Sequence, residues 1–297
     1  MLSPQLINWL LLSFLIVVWG TSFMSITVAI EGGLSPALIT LSRIICGALV
    51  LTLVAYFKGL RLPLNLRAWG SFMLLGLFGN ALPFFLISWG QQSVPSGTTG
   101  VLMSVMPLVT MILAHFLVPG EHLNRFKIAG FITAFTGVFI LLNPSSEAVT
   151  SVWGALAILT AASSYALNTV LIRLLPAFNP IIAGAGMLIC ALLLSLPVAL
   201  MPGIQESAEQ LQQASQNAVY AVIWLGLIPT GVASIVYFTV VNRAGPSFLS
   251  NCNFLIPLVA FLTGAMILNE AITIQSVVAL ITILAGIGLT RKRSHAG

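Results

Sequence analysis

The sequence predicts an all-α integral membrane protein: ten transmembrane helices arranged as two inverted five-helix repeats, with the N- and C-termini cytoplasmic. Three observations predict it. Of the 297 residues 59% are hydrophobic and 6% charged, whereas soluble domains carry roughly 25% charged residues, so the natural solvent of this chain is lipid. The apolar residues gather into runs long enough to cross a bilayer. The basic residues alternate in the connections between those runs.

A hydrocarbon core about 30 Å thick needs about 20 helical residues to cross it. Cutting the chain at polar, Gly and Pro clusters gives ten candidates, at 6–30, 35–57, 68–90, 94–118, 124–142, 151–174, 180–201, 217–242, 246–268 and 271–290. The first run has no basic leader and no small-residue cleavage site, so it reads as the first span rather than a signal peptide. No connection is long enough for a soluble domain. The longest, "PGIQESAEQLQQASQ" at 202–216, reads as an interfacial amphipathic turn.

Charge then orients the helices. With the N-terminus in the cytoplasm, Lys58, Arg61, Arg67, Arg125, Lys127, Arg173, Arg243, Arg291, Lys292 and Arg293 all fall inside and no Lys or Arg falls outside, as the positive-inside rule requires. The basic balance, with a pI near 9.5, therefore signals orientation rather than nucleic acid. Trp9, Trp69, Trp89 and Trp153 mark helix ends, where aromatic belts lie, while Trp19 and Trp224 lie deeper. Cys46, Cys190 and Cys252 sit in apolar segments without ligand spacing and read as small buried hydrophobes. No metal or cofactor is expected.

A shift of about 150 residues brings the two halves, 1–146 and 147–297, into register. "LGLFG" (75–79) meets "LGLIP" (225–229), and "MPLVTMIL" (106–113) meets "IPLVAFLT" (256–263). "GEHL" (120–123) then falls on "NEAI" (269–272), and Gly137 on Gly286. An odd number of helices per unit turns the second unit over, so Glu121 falls in a cytoplasmic connection and Glu270 in an external one. Inverted repeats of this kind are a transporter architecture, since two halves of opposite hand can exchange conformations about a site between them.

"WGTSF" (19–23), Arg43 and "MPLVTMILAHFLVPGEHLNRFKIAGFITAFTGVFIL" (106–141) resemble the EamA-type family of the drug/metabolite transporter superfamily. "IPLVAFLTGAMILNEAITIQSVVALITILAGIGL" (256–289) resembles the second copy of its signature. The resemblance covers essentially the whole chain and implies export of small metabolites, often amino acids and in some members aromatic ones. It also implies a cavity formed by the first, third and fourth helices of each half. The seventh helix departs from symmetry, with "GAGML" (184–188) where the second helix has Arg43.

Proline in a helix leaves the carbonyl four residues earlier without its donor, and in lipid that carbonyl needs another partner or a wet cavity. Pro83, Pro107, Pro229 and Pro257 fall in corresponding helices of both halves and free the carbonyls of Gly79, Met103, Leu225 and Asn253. Packing kinks are the alternative reading. At helical spacing Gly76, Asn80, Phe84 and Ile87 share one face, as do Thr230, Ser234 and Tyr237, and Trp19, Ser22, Phe23 and Ile26. Ser164, Tyr165 and Asn168 form a comparable mixed surface, and Met103 takes the position opposite Asn253. Asn251 points about 160° from Asn253 and reads as an interhelical bond. These residues suit a neutral or zwitterionic solute with an apolar portion, although each aromatic could equally be packing.

Arg43 is the one ionised residue placed well inside the hydrocarbon, at about 2.5–3.5 kcal/mol on insertion scales. It reads either as an anchor for a carboxylate or phosphate, or as a structural charge on helix carbonyls. Glu121 and Glu270 read as caps of the fifth and tenth helices, with proton coupling the minority alternative; His115 and His122 are weak relay candidates.

The function read from this pattern is secondary transport: an inner-membrane, multi-pass exporter of small organic metabolites, amino acids first, with nucleobases, drugs or other amphiphiles as the alternative. Its partners are a small-molecule substrate and the lipid bilayer, with no nucleic acid, and a monomer suffices. A membrane-embedded enzyme would need acids, bases or metal ligands placed together, and the chain has no Asp and no His–Cys cluster. A channel would need rings of charges or carbonyls, and a nucleotide-driven pump a Walker loop.

Overall fold

The computed structural model describes residues 3–142 and 151–290. The expected boundary between residues 146 and 147, Glu147, and the terminal Arg291, Lys292 and Arg293 lie outside the described residues.

Ten helical rods account for nearly all of the described chain: α1 (Pro4–Glu31), α2 (Pro36–Phe57), α3 (Leu66–Gly90), α4 (Ser96–Leu117), α5 (Arg125–Leu141), α6 (Val152–Leu174), α7 (Pro180–Ala199), α8 (Gln216–Gly245), α9 (Cys252–Ile267) and α10 (Ile274–Thr290). A short helix, Ile204–Gln213, connects α7 to α8, where the sequence reads as an amphipathic turn. Seven rods, α1 to α4 and α6 to α8, are long and apolar enough to cross a membrane, and α9 and α10 are apolar but shorter.

The helix starts follow from local chemistry. Ser3, Ser35, Asn65, Asn124, Ser151, Asn179 and Ser215 each accept a hydrogen bond from a backbone N–H of the first turn that follows. At Ser3, Ser35 and Asn179 a proline stands next, where its missing N–H costs nothing. Such a cap is worth about 1 kcal/mol.

The interiors are broken where the prolines stand, though not all in the same way. In α3 a π-turn runs from Leu77 to Ala81, and in α8 another runs from Gly226 to Val232, so the two halves carry matching insertions of one extra residue per turn. α4 is interrupted at Ser104 and Val105, and its second segment starts at Met106. The break expected at Pro107 thus takes the form of a restart: Pro107 stands in the first turn of the second segment, where its missing N–H needs no acceptor. Pro257 does lie inside α9. Between α8 and α9 the chain kinks at Gly245, whose φ of 82° is left-handed backbone that glycine adopts without strain.

The same backbone requirement explains the paired "GE" and "NE" turns. Gly120 has φ 83° and Asn269 φ 55°, so each glutamate follows a left-handed residue, and glycine and asparagine are the types that tolerate that conformation.

Two ends can be told apart by composition and contact. Arg173 reaches Glu121, and Arg243 reaches Asn8, joining connections of the basic end. At the opposite end Ser215 N–H donates to Gly32 O and Ser35 N–H to Gln210 Oε1. That second end carries Glu31, Glu206, Glu209 and Glu270. The two halves also meet through α5 and α10. A Cβ on Gly130 would come within 2.5 Å of Gly286 O, and one on Gly137 within 2.6 Å of the Ile283 side chain. Small residues here let two backbones touch, a membrane-helix packing mode that needs no hydrophobic drive.

Candidate functional site

Near the middle of the helices lies one buried cation with an unusual set of neighbours. Arg43, on α2, is 7% exposed. Its Nε donates to Thr230 Oγ1 at 2.8 Å, across 187 residues of chain and from the other half. Its Cζ stands 3.8 Å above the centre of the Phe84 ring, a cation–π distance. Tyr165 is close enough to interact electrostatically with it, and packs edge-on to Phe84 with ring centres 6.5 Å apart. The two ion pairs among the described residues both belong to Glu121, so neither neutralises Arg43. Its terminal nitrogens donate to no described residue and are not sealed from solvent.

The π-turns position this cluster. Thr230 sits within the π-turn of α8, and its hydroxyl also donates to Leu225 O at 2.8 Å; at the i to i+5 spacing of that turn Pro229 frees the Trp224 carbonyl, one residue before the Leu225 expected from α-helical spacing. One hydroxyl thus bonds the backbone of its own turn and receives the arginine. In α3 the repair comes from outside: Ser164 Oγ, on α6, donates to Phe78 O at 2.8 Å. That is one residue earlier than the Gly79 carbonyl expected from α-helical spacing, because a π-turn pairs i with i+5. Gly76 and Phe84, two members of the expected face, both pack toward α7 around Ala191. Gly76 packs against Met187 and Ala191 of α7, whereas Gly79 faces Asn168.

Gly79 explains itself through that contact, since a Cβ would sit 2.8 Å from the Asn168 amide. Asn168 Oδ1 is buried with no partner, and Asn80, 9% exposed, makes no side-chain hydrogen bond to any described residue. The expected α6 surface of Ser164, Tyr165 and Asn168 thus forms as one face against α3.

The other expected residues surround this cluster. Trp19 Nε1 donates to Pro229 O at 3.1 Å and its ring lies 6.1 Å from that of Tyr237, so both abut the α8 turn beside Thr230. Ser234 Oγ donates to Thr230 O within its own helix. Phe23 is buried near Gly100, with Met103 packed against the same apolar group. Asn253 is half-buried in the first turn of α9, and no hydrogen bond or ring contact among the described residues links it to Arg43. Asn251 Nδ2 donates to Phe248 O, three residues back.

At the acidic end a second contact joins the two halves. Glu270 Oε1 accepts from Ser96 N–H at 2.6 Å and Oε2 from Gly97 N–H at 2.8 Å. Glu270 therefore caps α4, not the tenth helix that follows it in sequence; the N-terminus of α4 lies against the α9–α10 turn and offers its unpaired amides there. Gly264 leaves the space that the carboxylate fills. In the first segment of α4 every residue from Ser96 to Leu102 is buried, whereas in the second segment only Leu108 and Ala114 are. Gln91, overlooked in the sequence because it stands just past a helix end, ties α3 to α1 here: its Nε2 donates to Phe23 O at 2.9 Å and to Thr27 Oγ1 at 3.1 Å.

At the basic end Glu121 pairs with Arg173 at 2.8 Å and lies 4.0 Å from Lys127, and the His115 and His122 rings are 6.0 Å apart. Two cavities, of about 90 and 290 Å³, lie at the acidic end beside Glu270 and beside Trp89 and Gln210, and neither is lined by Arg43. Among the described residues no three His, Cys, Asp or Glu side chains gather to hold a metal.

The model of the EamA-like transporter family fits the chain twice, over residues 7–143 and 152–291. The chain is 26% identical over 273 residues to the uncharacterized transporter YoaV of Bacillus subtilis, covering 91% of each. It is 25% identical to a probable terminal-alkyne amino-acid exporter of Streptantibioticus cattleyicolor, covering 94% of this chain and 91% of that one. A solved crystal structure superposes with a TM-score of 0.67 at 20% identity, covering 95% of this chain and 97% of that one, a likeness of fold.

Proposed function

The chain belongs to the EamA-like transporter family, and from that premise we propose that it is a secondary transporter exporting small organic metabolites, chiefly amino acids and aromatic ones among them, across the inner membrane. The observation that carries this reading is the central cluster, in which both halves converge on one buried guanidinium flanked by aromatic rings and unpaired amides. A polar core of that kind inside an apolar bundle suits a solute with one charged or polar end and one oily end. The exporter of amino acids among the relatives favours amino acids over other amphiphiles.

Transport proceeds by alternating access between two inverted five-helix repeats, with ten membrane crossings and both termini cytoplasmic. The Glu270 cap holds the acidic, external end shut. Glu121 occupies the equivalent place in the first repeat, and "PSF" (246–248) stands where the first repeat has "PSG" (95–97). In the opposite state Glu121 leaves Arg173 and Lys127 and caps the backbone N–H groups at the start of the ninth span, while Glu270 releases α4. Two anion-binding helix N-termini, used in turn, make the closed states mutually exclusive.

The test is counterflow in proteoliposomes, with purified protein and a panel of labelled amino acids, nucleobases and drugs. Saturable uptake of amino acids, faster into preloaded vesicles, is the expected result. Ohmic currents without trans-stimulation would overturn the carrier reading, and transport confined to nucleobases or drugs would overturn the substrate.

A further inference from the structure

We infer that Arg43 is the anchor for the carboxylate of the transported solute, with the buried Asn168 Oδ1 as the acceptor for its ammonium group. The inference rests on the transporter reading above and goes beyond it, because it makes an anionic group a requirement for transport.

The geometry assigns each face of the guanidinium. One edge is taken, since Nε donates to Thr230 Oγ1. One flat face is taken, since Phe84 lies 3.8 Å beneath Cζ. These two contacts fix the plane and leave the two terminal nitrogens as the free edge, and neither donates to a described residue. That edge is a rigid fork whose two parallel N–H groups match a carboxylate.

No group among the described residues supplies the missing negative charge. Thr230, Phe84 and Tyr165 are neutral in the states relevant here, and Glu121 and Glu270 are held elsewhere, by Arg173 and by the amides of α4. A structural arginine bonded to helix carbonyls would show its terminal nitrogens on those carbonyls, and this one does not. A buried cation kept without a partner is the pattern of a site whose partner arrives with the ligand.

The amide completes the zwitterion. Asn168 lies one helical turn beyond Tyr165, against the π-turn of α3 that carries Asn80, and its Oδ1 is sealed with no donor. Among the described residues it is one of four buried side-chain polar atoms without a partner, with Gln91 Oε1, Ser96 Oγ and Ser195 Oγ, and it is the one that lies against the α3 turn. An α-ammonium group would satisfy it, while Phe84 and Tyr165 flank the apolar portion.

The test compares ligands on unaltered protein and then variants. Proteoliposomes are assayed for counterflow of labelled phenylalanine in competition with phenylalanine amide, which lacks the carboxylate, and 3-phenylpropionate, which lacks the amine. The amide is expected to compete at least about tenfold more weakly than phenylalanine, because it cannot use the fork. Equal competition by the amide would overturn the anchor. Arg43→Lys keeps the charge and loses the fork; with a wild-type elution profile in detergent, it is expected to raise the half-saturating concentration about tenfold. Arg43→Lys with unchanged half-saturation and unchanged rejection of the amide would overturn the proposal. Asn168→Ala should weaken phenylalanine while leaving 3-phenylpropionate unchanged, and equal loss for both would remove the ammonium assignment. If wild-type protein moves 3-phenylpropionate but no amino acid, the amino-acid reading fails and the anchor stands. If it moves only neutral solutes, and Arg43→Lys moves them equally, the anchor itself fails.

Discussion

Thr230 shows how much one side chain can decide. Its hydroxyl donates to Leu225 O within the α8 turn and accepts from Arg43, so the local turn and the placement of the cation depend on the same oxygen. Thr230→Val keeps the shape and removes both bonds. It should lower stability in detergent by about 1–3 kcal/mol, the cost of leaving buried polar groups unpaired. Ser234→Ala, one turn on, removes only a hydroxyl bonded to a carbonyl of its own helix and should cost a few tenths of a kcal/mol by the same comparison of thermal unfolding. Equal losses in the two variants would show that the Arg43–Thr230 contact contributes nothing.

Among the single elements, α4 illustrates a helix whose start is completed by a distant part of the chain. Its first amides find a carboxylate 174 residues away at Glu270, and a charge at a helix N-terminus is worth about 0.3–2 kcal/mol. Glu270→Gln keeps the size and loses the charge, so the acidic end should open more often. A cysteine placed at Thr98, in a background lacking Cys46, Cys190 and Cys252, reports on this. A maleimide that cannot cross the membrane should label it severalfold faster in Glu270→Gln, consistent with a shift of about 1 kcal/mol. Unchanged labelling would mean that the cap does not hold this end shut. Glu121→Gln, which alters only the basic end, should not accelerate that labelling.

The whole molecule is joined where α5 meets α10, and here two glycines on one helix separate packing from composition. A Cβ at Gly286 would lie 2.6 Å from backbone atoms of α5, while one at Gly288 would meet nothing within 4 Å. Gly286→Ala should therefore force the two halves apart and cost about 1–3 kcal/mol. Gly288→Ala should leave the thermal midpoint and the yield of monodisperse protein unchanged. If both variants behave alike, the close approach of α5 and α10 is not what holds the halves together.

Local chemistry is legible in the amino-acid order. Lipid as solvent, the run of apolar helices, the Ser and Asn caps with their prolines, the paired helices that carry Pro83 and Pro229, and the paired Glu121 and Glu270 turns all follow from short-range pattern, since hydropathy and capping act within a few residues. Arg43 also stands out there as a charge that needs an explanation. The identity of partners is a different matter. A π-turn shifts the register by one residue, so α-helical spacing misplaces the repaired carbonyl in α3. Proximity in sequence assigns Glu270 to the helix that follows it, yet its carboxylate accepts from the first amides of α4. Pro107 reads as a break, and the break falls two to three residues before it, at Ser104 and Val105. Sequence alone therefore sets which segments are helical, where they start and which residues are costly to bury. Which of those costly groups meet is set by the tertiary fold. A hydrogen bond such as Arg43 to Thr230 depends on atoms brought to 2.8 Å from 187 residues apart, and no local preference encodes that distance.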